Sequence, residues 1–177
     1  MTADSLLGSS PDLAARVSLA QRLFSDADYL NAAFVYTTFG RNDLTLVQWR
    51  EAGQAQFFAG RATKARSYFA QAARSFARAR RGGVDADLLC WSARAYGYLA
   101  LHTALPLRVL FALRSKRFAE ASVAADANHA FAHYVLGLWH QKMPAWLGGD
   151  PRRVAGLLAR AVALASDKII FRVAKAR

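Results

Sequence analysis

Residues 130–166 read AFAHYVLGLWHQKMPAWLGGDPRRVAGLLARAVALAS, and their spacing constrains the fold more than any other stretch. Tyr134, Leu136, Gly137 and Trp139 fall in one helical segment, and a loop with Pro144, Gly148 and Gly149 follows. Asp150-Pro151 then opens a second segment. An aspartate can cap a helix, and proline fits the first turn, where its missing N–H costs no hydrogen bond. Val154, Leu158 and Ala161 come seventeen, twenty-one and twenty-four residues after Gly137, at a helical spacing. Small residues let two helices approach closely, and large ones fill the groove between them. This stretch is therefore expected to be a helical hairpin.

An earlier segment repeats the pattern. Trp49 is followed four residues later by Gly53, and Ala65, Phe69 and Ala72 come twelve, sixteen and nineteen residues after that glycine. The later unit is five residues longer, and the excess falls in the Met143–Gly149 loop, where a repeat tolerates insertion. Capping and breaking signals divide the rest. Ser10-Pro11-Asp12 starts a helix to about Phe24, and Ser25–Asp28 precedes a helix over Tyr29–Phe39. Gly40–Asp43 is a turn, and Leu44–Ala59 is a helix ending at Gly60. Thr63 caps a helix to Arg80, closed by Gly82-Gly83. Asp85 caps the next helix, which Pro106 breaks, and a further one runs over Val109–Ala125 with a bend near Ser115. Asp126–His129 forms a turn with Asn128 as the cap, and Asp167–Arg177 begins another segment. Alanine is frequent, prolines number four, and no Asn-Gly or Asp-Gly hairpin signal occurs. The expectation is an all-α single domain: N-terminal helices over 1–42, hairpins over 43–166 and a C-terminal segment over 167–177.

Ala124-Ala125-Asp126-Ala127-Asn128-His129-Ala130 resembles the inter-repeat turn of tetratricopeptide proteins. HYVLGLWH, the proline loop, Gly148-Gly149-Asp150, ARAVALAS and the Leu89-Cys90-Trp91 to Gly97 stretch are similar to one divergent branch. That branch includes the T component of TRAP transporters and the regulators of microtubule dynamics. The resemblance covers roughly residues 62–176. It implies a tetratricopeptide-like α-α superhelix of stacked helical hairpins, acting as a non-enzymatic scaffold that binds a peptide, protein or small ligand in a groove, transport-associated in the TRAP branch. The TRAP-associated members would be periplasmic. This chain shows no leader in Met1–Ser10 and no lipid-modified cysteine near its start, so the expected location is cytoplasmic, with a periplasmic one the alternative if a leader has been lost.

The longest nearly apolar stretch, Tyr98–Leu113, is interrupted by His102, Pro106 and Arg108, so no transmembrane segment is expected. The single cysteine, Cys90, lies in an apolar run and is expected in the core. A net charge of +12 points to an acidic partner. Arg74, Arg78 and Arg81 recur at helical spacing in a segment without acids, and Arg114, Lys116 and Arg117 form a second cluster. These six residues are the candidate anion-binding set for the alternative function, a basic module holding nucleic acid or another polyanion. Nucleic acid is not the favoured partner, because Phe69 and Phe76 fall on the inward face and offer no platform for bases.

Trp91, Tyr96, Tyr134 and Trp139 are the candidates to line a ligand groove, or else to fill the core between helices. His129, His133 and His140 could share one helix face and bind a metal, but no glutamate stands between them and capping or packing is the expected role. No cofactor is expected. Glu51 and Glu120 are the only glutamates, Cys90 and His102 are twelve residues apart, and neither pair suggests a catalytic centre, so the chain is not expected to be an enzyme.

Overall fold

The computed structural model describes residues 12–165. Among these, eight α-helices follow one another: α1 (Leu13–Ser25), α2 (Tyr29–Thr37), α3 (Leu46–Thr63), α4 (Arg66–Ala79), α5 (Ala86–Leu101), α6 (Leu107–Ala125), α7 (Ala130–Lys142) and α8 (Pro151–Leu164). Short 3-10 turns occupy Arg80–Gly82 and Ala145–Leu147, and no strand occurs among the described residues. The expected helix start at Ser10-Pro11 and the segment 167–177 lie outside the described residues. No helix among them is long and apolar enough to cross a membrane. The chain divides between Gly83 and Val84 into two compact units, a division that falls within the 43–166 segment.

In the first unit, α1 buries Val17 and Ala20, and α2 buries Ala32, Ala33, Val35 and Tyr36. The Asp28 side chain caps α2 by accepting the Asn31 N–H. At the start of α3 the Thr45 hydroxyl accepts the Gln48 N–H at 3.3 Å, and the Gln48 side chain accepts the Thr45 N–H at 2.9 Å. This reciprocal box satisfies two donors that a helix start would leave open.

The boundary between these helices needs correction. α3 does not stop at Gly60 but continues to Thr63, and Lys64, with φ at 60°, makes the turn. Thr63 ends α3 rather than capping α4; its hydroxyl accepts the N–H of Ala65, which stands at the start of α4. Gly53 lies opposite Phe76, and Gly60 opposite Phe69. A Cβ at Gly53 would lie 2.5 Å from Cε1 of Phe76, and one at Gly60 would lie 2.9 Å from Cε1 of Phe69. The glycines are seven residues apart on α3, and their phenylalanines are seven apart on α4 in the opposite sense, so the helices run antiparallel with each ring laid on a bare stretch of backbone. Ala72 is buried in this interface, while Ala65 stands outside the helix.

In the second unit, Asp85 caps α5 by accepting the Leu88 N–H at 2.6 Å. The α5–α6 pair uses hydroxyls where α3–α4 uses glycines: Ser115 donates to the Ala93 carbonyl at 2.8 Å and Ser122 to the Ala86 carbonyl at 2.7 Å. Again the positions are seven apart on both helices. α6 is one helix across Ser115, where a bend was expected. The Ser115 hydroxyl is turned to the neighbouring helix instead of competing for a carbonyl of its own. The cap of α7 is His129, whose ring accepts the Ala132 N–H, and not Asn128, whose side-chain oxygen accepts from Arg160 at 2.7 Å. Asp150 caps α8 with Pro151 at its first position. Gly137 meets Leu158, since a Cβ there would fall 2.7 Å from Cδ2 of Leu158.

Candidate functional site

A cleft of about 280 Å³ opens on the first unit. Tyr36 and Thr37 reach it from the end of α2, Trp49 and Gln56 from α3, and Gln71, Arg74, Ser75 and Arg78 from α4. The close α3–α4 approach at Gly53 and Gly60 fixes the wall that carries these polar groups. Gln56 and Ser75 are 3% and 2% exposed, and the Ser75 hydroxyl donates to the Gln56 side-chain oxygen at 2.8 Å. Buried polar groups of this kind persist only when paired.

Tyr36 donates its hydroxyl to Oε2 of Glu51 at 3.2 Å, and the same oxygen accepts from the Gln21 amide at 3.0 Å. Burial, reinforced by the Glu51 carboxylate, pushes the Tyr36 phenol well above its usual pKa. It therefore stays a protonated donor. Arg78 lies over the Trp49 ring, 4.2 Å from its centre. Burial, and after it the charges of Arg41, Arg74 and Arg81, hold the Arg78 guanidinium below its usual pKa. Gln71 differs from its neighbours, because its side-chain oxygen is buried and has no hydrogen-bond partner. Among the described residues, no carboxylate, histidine or cysteine lines the cleft. Its chemistry is that of a positively charged recess with amide and hydroxyl walls, suited to holding a polar anion.

Of the anion-binding candidates, Arg74 and Arg78 line this cleft and Arg81 contributes to the field on Arg78. Periodicity missed Arg41, which sits in the Gly40–Asp43 turn, and also Gln71. Arg114, Lys116 and Arg117 belong to the second unit and form no part of the cleft. Arg114 lies over Tyr96 at 5.7 Å, Lys116 lies over Trp139 at 4.6 Å and 3.6 Å from Glu120, and Arg117 is exposed.

The four aromatic candidates are all in the second unit, each engaged in packing. Trp139 is buried, and its indole N–H donates to the Ala112 carbonyl at 3.0 Å. Tyr96 stacks on Phe118, with ring centres 5.6 Å apart. Trp91 lies under Arg94, 4.1 Å from its ring centre, and Tyr134 meets Phe131 edge-on at 6.3 Å.

The three histidines have separate tasks, and no group of three or more His, Cys, Asp or Glu among the described residues is arranged to hold a metal ion. His129 uses Nδ1 to accept the Ala132 N–H, while Nε2 lies 3.6 Å from the Asp87 carboxylate. Hydrogen bonding to Asp87, then to Cys90, pushes its pKa up to about 10. A doubly protonated ring cannot accept the Ala132 N–H, so the cap opposes that push. Cys90 is buried beside this histidine, a neighbour that sequence spacing did not reveal. His133 places Nε2 2.9 Å from the Ala127 carbonyl oxygen. His140 is buried, and Nδ1 accepts the Asp150 N–H at 3.2 Å, tying the Met143–Gly149 loop back to α7.

In comparisons with known proteins, the chain matches no family model, no curated protein and no solved structure.

Proposed function

We propose that this chain is a non-catalytic binding module built from tetratricopeptide-like helical hairpins, and that it holds a small ligand in the α2–α4 cleft. One observation carries the reading: a recess of about 280 Å³ whose polar walls are braced by their own hydrogen bonds. Such bracing keeps a site in shape before its ligand arrives, which lowers the ordering cost of binding. The interlocking of α3 with α4 and of α7 with α8 through glycine seats supports the hairpin reading. The groove is thereby assigned to the first unit, away from Trp91, Tyr96, Tyr134 and Trp139.

The test is ligand-detected NMR of a small-molecule cell extract. Wild-type protein is expected to attenuate the signals of a bound metabolite, and Thr37→Trp, which fills the cleft from its exposed rim, to leave them intact while melting at the same temperature. Equal attenuation by both proteins, or none by either, would overturn the assignment.

The mutual influence of Arg41, Arg74, Arg78 and Arg81 favours a second reading, a surface for nucleic acid or another polyanion. That reading requires binding to a random oligonucleotide that weakens steeply with salt. It also requires indifference to Thr37→Trp, since a tracked phosphate backbone does not enter a recess of this size.

A further inference from the structure

The Gln71 side chain narrows the ligand. Among the described residues, every hydroxyl that lines the cleft is already donating: Ser75 to Gln56, Tyr36 to Glu51, and Thr37 to the Phe34 carbonyl at 2.6 Å. The Gln71 oxygen is what remains, a buried acceptor with no donor. An oxyanion alone cannot satisfy it, because both sides would be acceptors. The same cleft presents Arg74 and Arg78, with Arg41 and Arg81 near enough to press on the Arg78 charge and no carboxylate among the described lining residues. An anion relieves that crowding of like charges, and guanidinium groups offer it paired donors. An ammonium group would satisfy Gln71 but would add a fifth positive charge to the four arginines. A hydroxyl satisfies it without that penalty. At about 280 Å³ the recess lies just under the usual range of ligand pockets, so the molecule is small.

We infer that the cleft binds a small hydroxylated oxyanion, its carboxylate or phosphate held by Arg74 and Arg78 and its hydroxyl donating to the Gln71 oxygen. This rests on the cleft being the ligand site. It assigns Gln71 the discrimination and the arginines the affinity.

The experiment is calorimetric titration of the full chain with matched probes: lactate, propionate, alanine and propane-1,2-diol, then glycerol 3-phosphate against propyl phosphate. The expected result is that a hydroxylated anion binds at least about tenfold tighter than its deoxy partner, because a site built to receive a hydroxyl rejects the analogue lacking it. Lactate should also exceed alanine and the uncharged diol. The two hydroxylated anions decide between a carboxylate and a phosphate source. Gln71→Met should bring the matched pair within about twofold, and Arg74→Gln, at an exposed position, should weaken the hydroxylated anion about tenfold or more with no change in melting. Equal binding of lactate and propionate and of the two phosphates, or a ratio unmoved by Gln71→Met, would overturn the assignment to Gln71. If no probe binds while an extract metabolite is still captured and blocked by Thr37→Trp, the ligand is not of this class and the cleft reading stands. If neither binds, the cleft reading falls with it.

Discussion

The Phe76 ring occupies the space that a Cβ on Gly53 would need, 2.5 Å from Cε1 and 2.6 Å from Cδ1. Phe76 is fully buried and cannot swing away as an exposed chain end could. Gly53→Ala is therefore expected to destabilise the first unit. Overpacking of a core costs ~1–3 kcal/mol, against a helix-propensity gain of ~1 kcal/mol for alanine over glycine. The urea midpoint should fall in the wild-type background. In a Phe76→Ala background the clash is gone and the same change should be neutral or stabilising, so the double-mutant cycle should give a coupling well above zero. Additive effects of the two substitutions would show that the ring and the glycine do not interlock.

This register marks how far the fold was legible. The start of α8 was legible, because Asp150-Pro151 announces it. At the earlier hairpin, Phe69 and Phe76 lie seven apart on one face, and periodicity gives them equal claims on Gly53. What decides between them is the end of α3 at Lys64, whose left-handed backbone no residue preference announces. His129 was hidden for a similar reason, since Asn128 is the stronger capping residue by type but its side chain is held by Arg160. At the cleft, Arg74 and Arg78 were visible as a helical stripe, whereas the charge of Arg41, which acts on Arg78 from outside the lining, comes from a turn. Gln71 acquires meaning only from the burial of its oxygen.

Ser75 and Gln56 brace the cleft from α4 and α3, and both are buried. Ser75→Ala leaves the nearly buried Gln56 oxygen without that donor. Such a loss costs ~1–3 kcal/mol. Replacing both, as Ser75→Ala with Gln56→Leu, removes the orphan and should recover part of the loss. Thermal melts of the single and double variants check this, and a double variant less stable than Ser75→Ala would show that the amide has other essential contacts.

Trp139 was a candidate groove residue, and its buried indole N–H spans from α7 to the Ala112 carbonyl of α6. Trp139→Phe keeps an aromatic ring but strands that carbonyl's cross-helix bond. Ala112 lies inside α6, so its carbonyl keeps the helix's own bond, and the expected loss is ~0.5–1.5 kcal/mol for the hydrogen bond plus the smaller ring's packing deficit. Hydrogen exchange should quicken in α7 and α8 while α1–α4 stay protected. Uniform loss of protection along the chain would argue against this contact acting within its own unit.

His140 sets a pH dependence of definite sign. It is 2% exposed, and burial, then the charges of Arg153 and Lys116, lowers its pKa from the usual 6.5; Asp150 and Glu120 oppose the shift without reversing it. The folded ring thus binds a proton less readily than the unfolded one. Its contribution to stability is fully present above about 6.5 and is lost as pH falls from there through the lowered folded value. Protonation would also remove the lone pair that accepts the Asp150 N–H, loosening the Met143–Gly149 loop. His129, with its pKa raised to about 10, has the opposite sign: its contribution grows as pH falls from about 10 and is already complete below about 6.5. The comparison is therefore between wild type and His140→Gln, which share His129. Chemical denaturation at a series of pH values from 8 down to 5 should give a steeper loss of stability in the wild type than in the variant. Parallel curves would mean that His140 titrates in the folded protein as it does in the unfolded chain.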